Sequence, residues 1–227
     1  MHKSTGSYLL EFHYNGETMK QYQDIIDNTK GFMAFEEGQG LFEYAQKAAQ
    51  LGPGLEIGSY CGKSTLYLGV GFQKHNQVLF TIDHHRGSEE QQPGEAYFDP
   101  DLFDKTIGKI DTLRFLRSAL EKGTLEDTVI PIVSRSKTVA KSWQTPLSLV
   151  FIDGSHTFES ATQDYECWTP HIIDGGYLLI HDIFPDPSQG GQAPYHIYKK
   201  ALESGSFQEI RMIHTLGILQ REKNKHV

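Results

Sequence analysis

Short apolar runs alternate with stretches of helical periodicity along most of the chain. The apolar runs are strand-length and continuous, which is typical of parallel strands that are covered on both faces. Five such strands are predicted, at 55–57, 78–82, 129–133, 147–152 and 177–180. Helices are predicted around and between them, at 37–50, 63–71, 101–122, 136–143, 158–172 and 194–204. Two further strands that are joined tightly are predicted at 207–214 and 216–220.

This order of β–α units, followed by a hairpin, predicts an α/β fold with an open, doubly wound sheet. In such sheets, ligands bind beyond the carboxyl ends of the strands. Polar or glycine-rich residues follow four of the five predicted strands: the turn 58–62, Asp83, Asp153 and the pair His181-Asp182. We therefore expect the functional site at this edge of the sheet.

The composition excludes several classes of protein. The 227 residues are 38% hydrophobic, which suits one α/β domain with a substantial core. The formal net charge of -8 opposes nucleic-acid binding, which needs clustered Lys and Arg. Two cysteines, Cys61 and Cys167, cannot form a disulfide framework, and we expect both to be reduced. No signal-peptide or membrane-spanning run is visible, so a cytoplasmic location without membrane partners is expected.

The β–α alternation assigns residues 37–222 to one domain. Residues 1–36 are predicted as a helical or irregular N-terminal extension, and 223–227 as a polar tail. The extension contains an apolar cluster, formed by Tyr8, Leu9, Leu10 and Phe12. Two interpretations of this cluster stay open: it packs on the sheet, or it packs on a second copy of the chain in a homo-oligomer.

The turn after the first predicted strand, which reads Gly58-Ser-Tyr-Cys-Gly62-Lys-Ser, admits several interpretations. A phosphate loop needs one more residue between its glycines. A dinucleotide turn needs glycine where Tyr60 stands. A nucleoside-binding turn tolerates both departures, and an unliganded strand-to-helix turn is the alternative. Asp83 favours the nucleoside interpretation, because a carboxylate at the next strand end can accept hydrogen bonds from both ribose hydroxyls. The competing role for Asp83 is to cap the turn that follows.

These residues carry a family resemblance. EIGSYCGKSTLYLG followed by FTIDHH resembles the first two motifs of class I S-adenosylmethionine-dependent methyltransferases, and GSYCGKS is similar to the turn of the catechol O-methyltransferase group. LVFIDGSHTFESATQDYECWTPHIIDGGYLLIHDIF resembles the family with an IDG-H and GG-HD pattern. The resemblance covers about residues 40 to 221. It implies a Rossmann-like, seven-strand methyltransferase sheet, with an antiparallel last strand inserted by a C-terminal hairpin.

The resemblance also implies S-adenosylmethionine as cofactor, together with the residues that hold it. Asp83 would bind the ribose, His84 would flank the adenine, and Ser136 would lie near the adenine edge. Glu56 would order the turn or bind the amino group of the cofactor through water. The residues that would line the methionine end are Gly58, Tyr60, Gly62 and Ser64.

Asp153, His156 and Asp182 form a second candidate group, and Asp153 and His156 are the catalytic candidates. In the catechol-type enzymes that the chain resembles, an Asp after the fourth strand and an Asp-Asn pair after the fifth hold magnesium. Asp153 and Asp182 match two of these ligands, whereas Ile183 stands at the Asn position and cannot coordinate. His156 stands where those enzymes carry a catalytic lysine.

Three roles for His156 stay open. It could be the general base that removes a proton from an acceptor hydroxyl. It could complete, with Asp153 and Asp182, a site for a divalent metal such as Mg or Mn. It could also be a structural histidine at a helix start. His181 is expected to be structural, because side chains alternate along a strand and should point it away from Asp182.

Together these observations predict an S-adenosylmethionine-dependent O-methyltransferase that acts on a small molecule. His156 is the predicted general base, with a divalent metal assisting. Acceptor specificity is expected from residues 8–35, from residues 86–100 of the polar excursion at 84–100, and from the loop 184–194. This loop could form a lid or be an ordinary crossover. The excursion starts with His84-His85-Arg86, which could bind an acidic substrate or form a solvated turn. The alternatives are a non-catalytic nucleoside-ligand-binding or assembly protein on the same fold, a nucleotide phosphotransferase that uses Lys63, and hydroxylation-type chemistry.

Overall fold

The computed structural model describes residues 19–223. The predicted apolar cluster of the N-terminal extension and all but the first residue of the predicted polar tail lie outside these residues. Nine strands are formed within the described range: β1 Gly54–Ile57, β2 Leu79–Asp83, β3 Phe103–Asp104, β4 Lys109–Ile110, β5 Val129–Val133, β6 Leu147–Ile152, β7 Ile172–Ile180, β8 Phe207–Ile213 and β9 Leu216–Arg221.

Helices connect the strands. Those between residues 19 and 223 are α1 Gln23–Asp27, α2 Phe35–Ala49, α3 Lys63–Gln73, α4 Leu113–Lys122, α5 Ser136–Ala140, α6 Phe158–Trp168 and α7 Ala193–Glu203. Short 3-10 helices span Glu89–Gln91, Pro100–Leu102 and Thr169–His171. None of the helices in this range is long and apolar enough to cross a membrane.

Seven of the strands form one sheet in the order β5-β2-β1-β6-β7-β9-β8. Neighbouring strands from β5 to β7 are parallel, whereas β9 is antiparallel to both β7 and β8. The predicted doubly wound, seven-strand sheet with an inserted C-terminal hairpin is therefore confirmed. The sheet order reverses between β1 and β6, and in open α/β sheets a ligand crevice forms at such a switch point.

Apolar layers cover both faces of the sheet. Along β6, Leu149 and Phe151 pack with α2, α3 and α4 on one face, while Val150 and Ile152 pack with α6 and α7 on the other. Both faces of β6 are buried, which explains why this strand is an almost entirely apolar run. Trp168 at the end of α6 is fully buried against the second face. Burying an apolar side chain such as Leu149 or Phe151 contributes roughly 1.5–3 kcal/mol.

The helix that was predicted at 101–122 is wrong in its first half. Only Leu113–Lys122 is helical, and residues 103–110 form the β3–β4 hairpin. The hairpin is formed because the Asp104 carboxylate accepts the Thr106 N–H at 2.7 Å and Gly108 adopts a left-handed φ of 65°. Ile107, which fitted the helical spacing, is 48% exposed at the tip. The excursion after β2 therefore extends from residue 84 to residue 112.

Two further boundaries differ from the predictions. The helix predicted at 158–172 ends at Trp168, and a 3-10 turn that contains Pro170 follows it. Strand β7 begins at Ile172, earlier than predicted, because Ile172 already pairs with Leu147 before a register shift. Cys61 and Cys167 are free thiols, as expected.

Candidate active site

The turn between β1 and α3 is shaped by two glycines. Gly58 has a φ of 92°, and a Cβ atom at this position would lie 2.1 Å from the carbonyl oxygen of Asp153. Gly62 is the N-cap of α3 with a φ of 100°, and it packs against Leu116 of α4. Both positions favour glycine, since other residues rarely adopt this conformation, and at Gly58 the backbone of Asp153 also leaves no room for a side chain. The turn thus brings the end of β1 to within backbone contact of the end of β6.

Glu56 on β1 orders the turn from below. Its side chain is fully buried and accepts hydrogen bonds from the hydroxyls of Ser64 (2.6 Å), Thr65 (2.6 Å) and Thr81 (2.7 Å). Burial raises the pKa of Glu56 to about 7, although the three hydroxyls act in the opposite direction. Of the two roles implied for Glu56, these contacts correspond to ordering the turn. Thr65 and Thr81 were not singled out in the sequence.

Asp83 faces the turn from the end of β2. Its Oδ2 accepts the Tyr60 N–H at 2.8 Å, and its Oδ1 accepts the His85 N–H at 2.7 Å. Tyr60 has a left-handed φ of 48°, which aims its N–H at the carboxylate. Asp83 therefore does cap the following turn, but it also lies against the glycine turn. Each oxygen keeps acceptor capacity, since a carboxylate has about four lone-pair directions.

Ser59 supplies an unpaired polar group within the same turn. Ser59 is 1% exposed. Among the buried side-chain polar atoms of residues 19–223, the Oγ of Ser59 is the one that has no hydrogen-bond partner. A buried hydroxyl without a partner is unfavourable by roughly 1–3 kcal/mol. A polar ligand group at the turn would remove this penalty, so the turn fits a ligand that carries hydrogen-bonding groups.

The structure separates the two histidines after β2. His84 is exposed, and its Nδ1 accepts the Arg86 N–H at 3.0 Å. His85 is 2% exposed, with Nδ1 2.7 Å from the Thr112 hydroxyl, and burial lowers its pKa. The interpretation of this segment as a solvated turn is therefore wrong for His85. Its imidazole is also not presented to an acidic substrate.

Ser136 is the first residue of α5, and two residues separate it from the end of β5. Its Oγ accepts the indole N–H of Trp168 at 2.6 Å. Ser136 also bonds to Asp164, whose pKa is raised to about 6 by burial. The adjacent backbone N–H of Ser134 donates to the Asp83 carbonyl at 3.1 Å, so the ends of β2 and β5 are held together. Ser136 therefore lies at the same edge of the sheet as Asp83.

The ends of β6 and β7 bring Asp153, His181 and Asp182 together. The Nδ1 atom of His181 lies 3.1 Å from Asp153 Oδ1 and 3.6 Å from Asp182 Oδ2. The prediction that His181 points away from Asp182 is wrong, because strand alternation stops here. Asp182 has a left-handed φ of 58°, which turns its side chain back toward the same group. Ile183 is buried in the apolar core, consistent with its exclusion as a ligand.

His181 has a second carboxylate partner that the sequence analysis missed. Its Nε2 lies 3.0 Å from Oε2 of Glu37, which comes from the first turn of α2. Burial disfavours the charged imidazole, but Asp153, Asp182 and Glu37 outweigh this and raise the pKa of His181. No pattern near Glu37 signals this contact, because 144 residues separate the two partners.

His156 is paired with Asp182 rather than with Asp153. Its Nε2 is 3.1 Å from Asp182 Oδ2, and its Nδ1 is 3.8 Å from Glu90 Oε2. The hydrogen bond from His156 to Asp182 raises the pKa of the imidazole. Burial favours protonation of Asp182, yet the two histidines outweigh it and lower the pKa of this carboxyl. His156 is one-third exposed, so its ring remains accessible at the edge of the sheet.

The donor set at this edge fits a divalent cation. Asp153, His181 and Asp182 each offer one ligand atom, and these atoms lie within 4.8 Å of one another. Neighbouring ligands around a cation with bonds of about 2.1 Å are roughly 3 Å apart, close to the distances observed from His181 Nδ1. Two carboxylates and an imidazole suit manganese or iron as well as magnesium. In this arrangement the third potential ligand is His181, whereas one of the three roles left open for His156 had placed His156 there.

Comparison with known proteins agrees with this architecture. A family described as a methyltransferase domain matches residues 55–183. The SAH-bound methyltransferase PaMTH1 of Podospora anserina aligns over 99% of each chain, with 14% identity and a TM-score of 0.62. An O-methyltransferase of Bacillus cereus in complex with SAH aligns over 91% of each chain, with 14% identity and a TM-score of 0.59. The alignment with a putative caffeoyl-CoA O-methyltransferase of Staphylococcus aureus covers 95% of this chain and 98% of that protein, with 12% identity and a TM-score of 0.57.

The family match, on a sheet with this strand order, identifies a class I S-adenosylmethionine-dependent methyltransferase. The chain belongs to the methyltransferase-domain family, whose match spans more than half of its length. This membership favours methyl transfer over the phosphotransferase interpretation of Lys63.

Proposed function

We propose that this protein transfers the methyl group of S-adenosylmethionine to a hydroxyl oxygen of a small-molecule acceptor. The observation that carries the proposal is the pairing of His156 with Asp182, whose Nε2 and Oδ2 atoms are 3.1 Å apart. His156 follows β6, which lies next to β1 and its glycine turn in the sheet. The turn faces Asp83, and it touches the backbone of Asp153 at Gly58. A methyl donor at the turn and an acceptor hydroxyl at His156 would therefore be neighbours.

The cofactor would occupy the crevice beyond β1, β2 and β5. Asp83 accepts two backbone N–H groups, which fixes the carboxylate for the ribose hydroxyls. Ser59 adds a buried hydroxyl without a partner. His84 and Ser136 stand at the ends of β2 and β5, where the adenine would lie. Residues proposed for the methionine end are Gly58, Tyr60, Gly62 and Ser64, with Glu56 supporting them.

His156 is the proposed general base. Its Nε2–H donates to Asp182, and this hydrogen bond orients the ring. The Nδ1 atom is 3.8 Å from Glu90, beyond hydrogen-bond distance, and can accept a proton from an acceptor hydroxyl. Methyl transfer from a sulfonium is an in-line displacement, so the remaining task of the site is alignment and exclusion of water.

Asp153, His181 and Asp182 would hold a divalent cation. Such an ion, when bound, lowers the pKa of an acceptor hydroxyl and orients it. The role of the chain is to present two carboxylate oxygens and one imidazole nitrogen on the same side of the sheet edge. Asp153 is thus proposed as a catalytic residue through this ligand role, and His156 is kept for proton removal.

Two loops converge on His156 and are proposed to select the acceptor. Ser155 donates to Glu89 of the excursion at 3.2 Å. On the other side, a Cβ atom at Gly191 would lie 3.8 Å from the Cβ of His156, so the loop 184–194 passes close to this residue. Loops of this kind carry specificity on a rigid scaffold.

Calorimetry with S-adenosylhomocysteine tests the cofactor assignment, and we expect saturable binding. Absence of binding at millimolar ligand overturns the proposal.

A panel of phenols, vicinal diols and sugars, assayed for S-adenosylhomocysteine release with Mg²⁺ or Mn²⁺, tests the reaction. Full activity after chelator treatment would contradict the metal role alone. The non-catalytic alternative would be favoured if the protein bound S-adenosylhomocysteine but turned over no hydroxyl acceptor, and if His156→Ala behaved as the wild type does in every one of these measurements.

A further inference from the structure

Glu37 is a buried carboxylate far from the strand ends in the sequence. It lies in the first turn of α2 and is 4% exposed. Its Oε1 accepts the N–H and the hydroxyl of Thr215, each at 2.8 Å. Its Oε2 lies 3.0 Å from His181 Nε2 and accepts the Ala34 N–H at 3.3 Å. One side chain therefore joins α2, the turn between β8 and β9, and the end of β7.

The contacts of Glu37 are those of an ionised group. Oε1 accepts two hydrogen bonds from Thr215, and Oε2 accepts the Ala34 N–H and lies 3.0 Å from His181 Nε2, so both oxygens face donors. All partners around Glu37 are donors, so neither oxygen needs a proton. An ionised carboxylate at this depth is unfavourable unless its partners are kept.

The geometry at His181 gives this carboxylate a directional effect. Because Nε2–H points at Glu37, the opposite ring nitrogen, Nδ1, faces Asp153 and Asp182. Rotation of the ring would break the contact with Glu37 and leave that buried charge without its strongest partner. In metal sites, a carboxylate that accepts the second N–H of a histidine sets its tautomer and orientation.

We propose that Glu37 is a positioning residue that holds His181 with Nδ1 toward Asp153 and Asp182, and so tunes their affinity for a divalent cation. The inference rests on the proposed function, because it requires that these three residues bind the cation. Glu37 contacts neither the cofactor edge nor the acceptor base. Its effect is expected to pass through His181 alone.

The test is Mn²⁺ binding by the full chain without cofactor or acceptor, followed through the electron paramagnetic resonance signal of free Mn²⁺. Glu37→Gln keeps the shape of the side chain but replaces one acceptor oxygen by a donor. We expect it to weaken Mn²⁺ binding by roughly 10- to 100-fold. Glu36→Gln is the matched control, since Glu36 lies on the same turn and is 64% exposed in its side chain, 3.6 Å from His214. It should bind Mn²⁺ as the wild type does.

A double-mutant cycle separates positioning from general structure. In a His181→Ala background, Glu37→Gln should cause no additional loss of Mn²⁺ affinity. If folded Glu37→Gln and the wild type bind Mn²⁺ equally, the role of Glu37 is overturned and the metal site is retained. The same conclusion follows if Glu37→Gln lowers the Mn²⁺ affinity as much in the His181→Ala background as in the wild type. If the wild type binds no Mn²⁺, the metal site itself is overturned. Folding is checked by urea unfolding, and Glu37→Asp, which withdraws the carboxylate by one methylene, replaces Glu37→Gln if that variant does not fold.

Discussion

The backbone of Gly58 touches the carbonyl group of Asp153, so the end of β1 and the end of β6 meet without an intervening side chain. A Cβ atom at Gly58 would lie 2.1 Å from the Asp153 oxygen. The cofactor turn begins at Gly58, and the proposed metal and base residues begin at Asp153. The spacing between methyl donor and acceptor is thus set by a contact that only glycine permits.

Gly58→Ala is expected to destabilise the fold and abolish cofactor binding. The left-handed φ of 92° is strained for alanine by roughly 1–3 kcal/mol, and the overlap with Asp153 adds to this strain. We expect a total loss of roughly 3–5 kcal/mol. Urea unfolding and calorimetry with S-adenosylhomocysteine measure the two effects.

Gly94→Ala is the matched control for this substitution. Gly94 has a φ of 97°, but no atom lies within 4 Å of a Cβ built there. It carries the conformational strain without the overlap, so a loss of about 1 kcal/mol is expected, with unchanged cofactor affinity. Equal losses for Gly58→Ala and Gly94→Ala would contradict the close approach of the two strand ends.

Asp83→Asn should weaken S-adenosylhomocysteine binding by roughly 10- to 100-fold, about 1.4–3 kcal/mol. The amide retains one acceptor oxygen for two backbone N–H groups, and it no longer offers two carboxylate oxygens to a ribose. Asp104→Asn is the control, because Asp104 accepts the Thr106 N–H in the exposed β3–β4 hairpin, away from this edge. If Asp83→Asn binds as tightly as Asp104→Asn, Asp83 only caps its turn.

The sheet could be predicted from the sequence because the parallel strands are short runs of mostly apolar, β-branched residues bounded by polar turns. The strands at 129–133 and 147–152 were predicted to the residue. The hairpin at 103–110 was missed because Phe103, Ile107 and Ile110 also fit a helical spacing. The local hydrogen bond of Asp104 and the conformation of Gly108 override that periodicity.

The candidate site could be predicted only where its residues follow strands directly. Asp83, Asp153 and Asp182 do so, and the structure places them at the same edge. His181 was assigned to the opposite face, because strand alternation does not reveal the left-handed turn at Asp182. Glu37 could not be found, since its approach depends on how α2 packs against the finished sheet.

Glu56 is expected to make folding stability depend on pH. Its pKa in the folded protein is about 7, above the ordinary value of 4.5, so the folded state binds more protons than the unfolded state between these values. The contribution of Glu56 is therefore fully present below about pH 4.5 and is lost as pH rises through 7. The free energy of unfolding of the wild type should fall by about 3 kcal/mol relative to Glu56→Gln between pH 4.5 and 8.

Urea unfolding at intervals from pH 4.5 to 8 measures this difference. Glu121→Gln, on the exposed face of α4, should follow the wild-type curve at every pH. Parallel curves for wild type and Glu56→Gln would show that Glu56 stays ionised beneath the turn. In that case the three hydroxyl donors offset the effect of burial on the pKa of Glu56.

His156→Asn is expected to lower the turnover number by roughly 10²- to 10⁴-fold on any hydroxyl acceptor found by the panel. Asparagine can still donate to Asp182, but it offers no nitrogen that accepts a proton. Affinity for S-adenosylhomocysteine should be unchanged, because His156 does not contact the glycine turn. His196→Asn is the control, since His196 is exposed and packs on Phe158 instead. If His156→Asn and His196→Asn turn over equally fast, proton removal does not pass through His156, and the metal site alone would have to activate the acceptor.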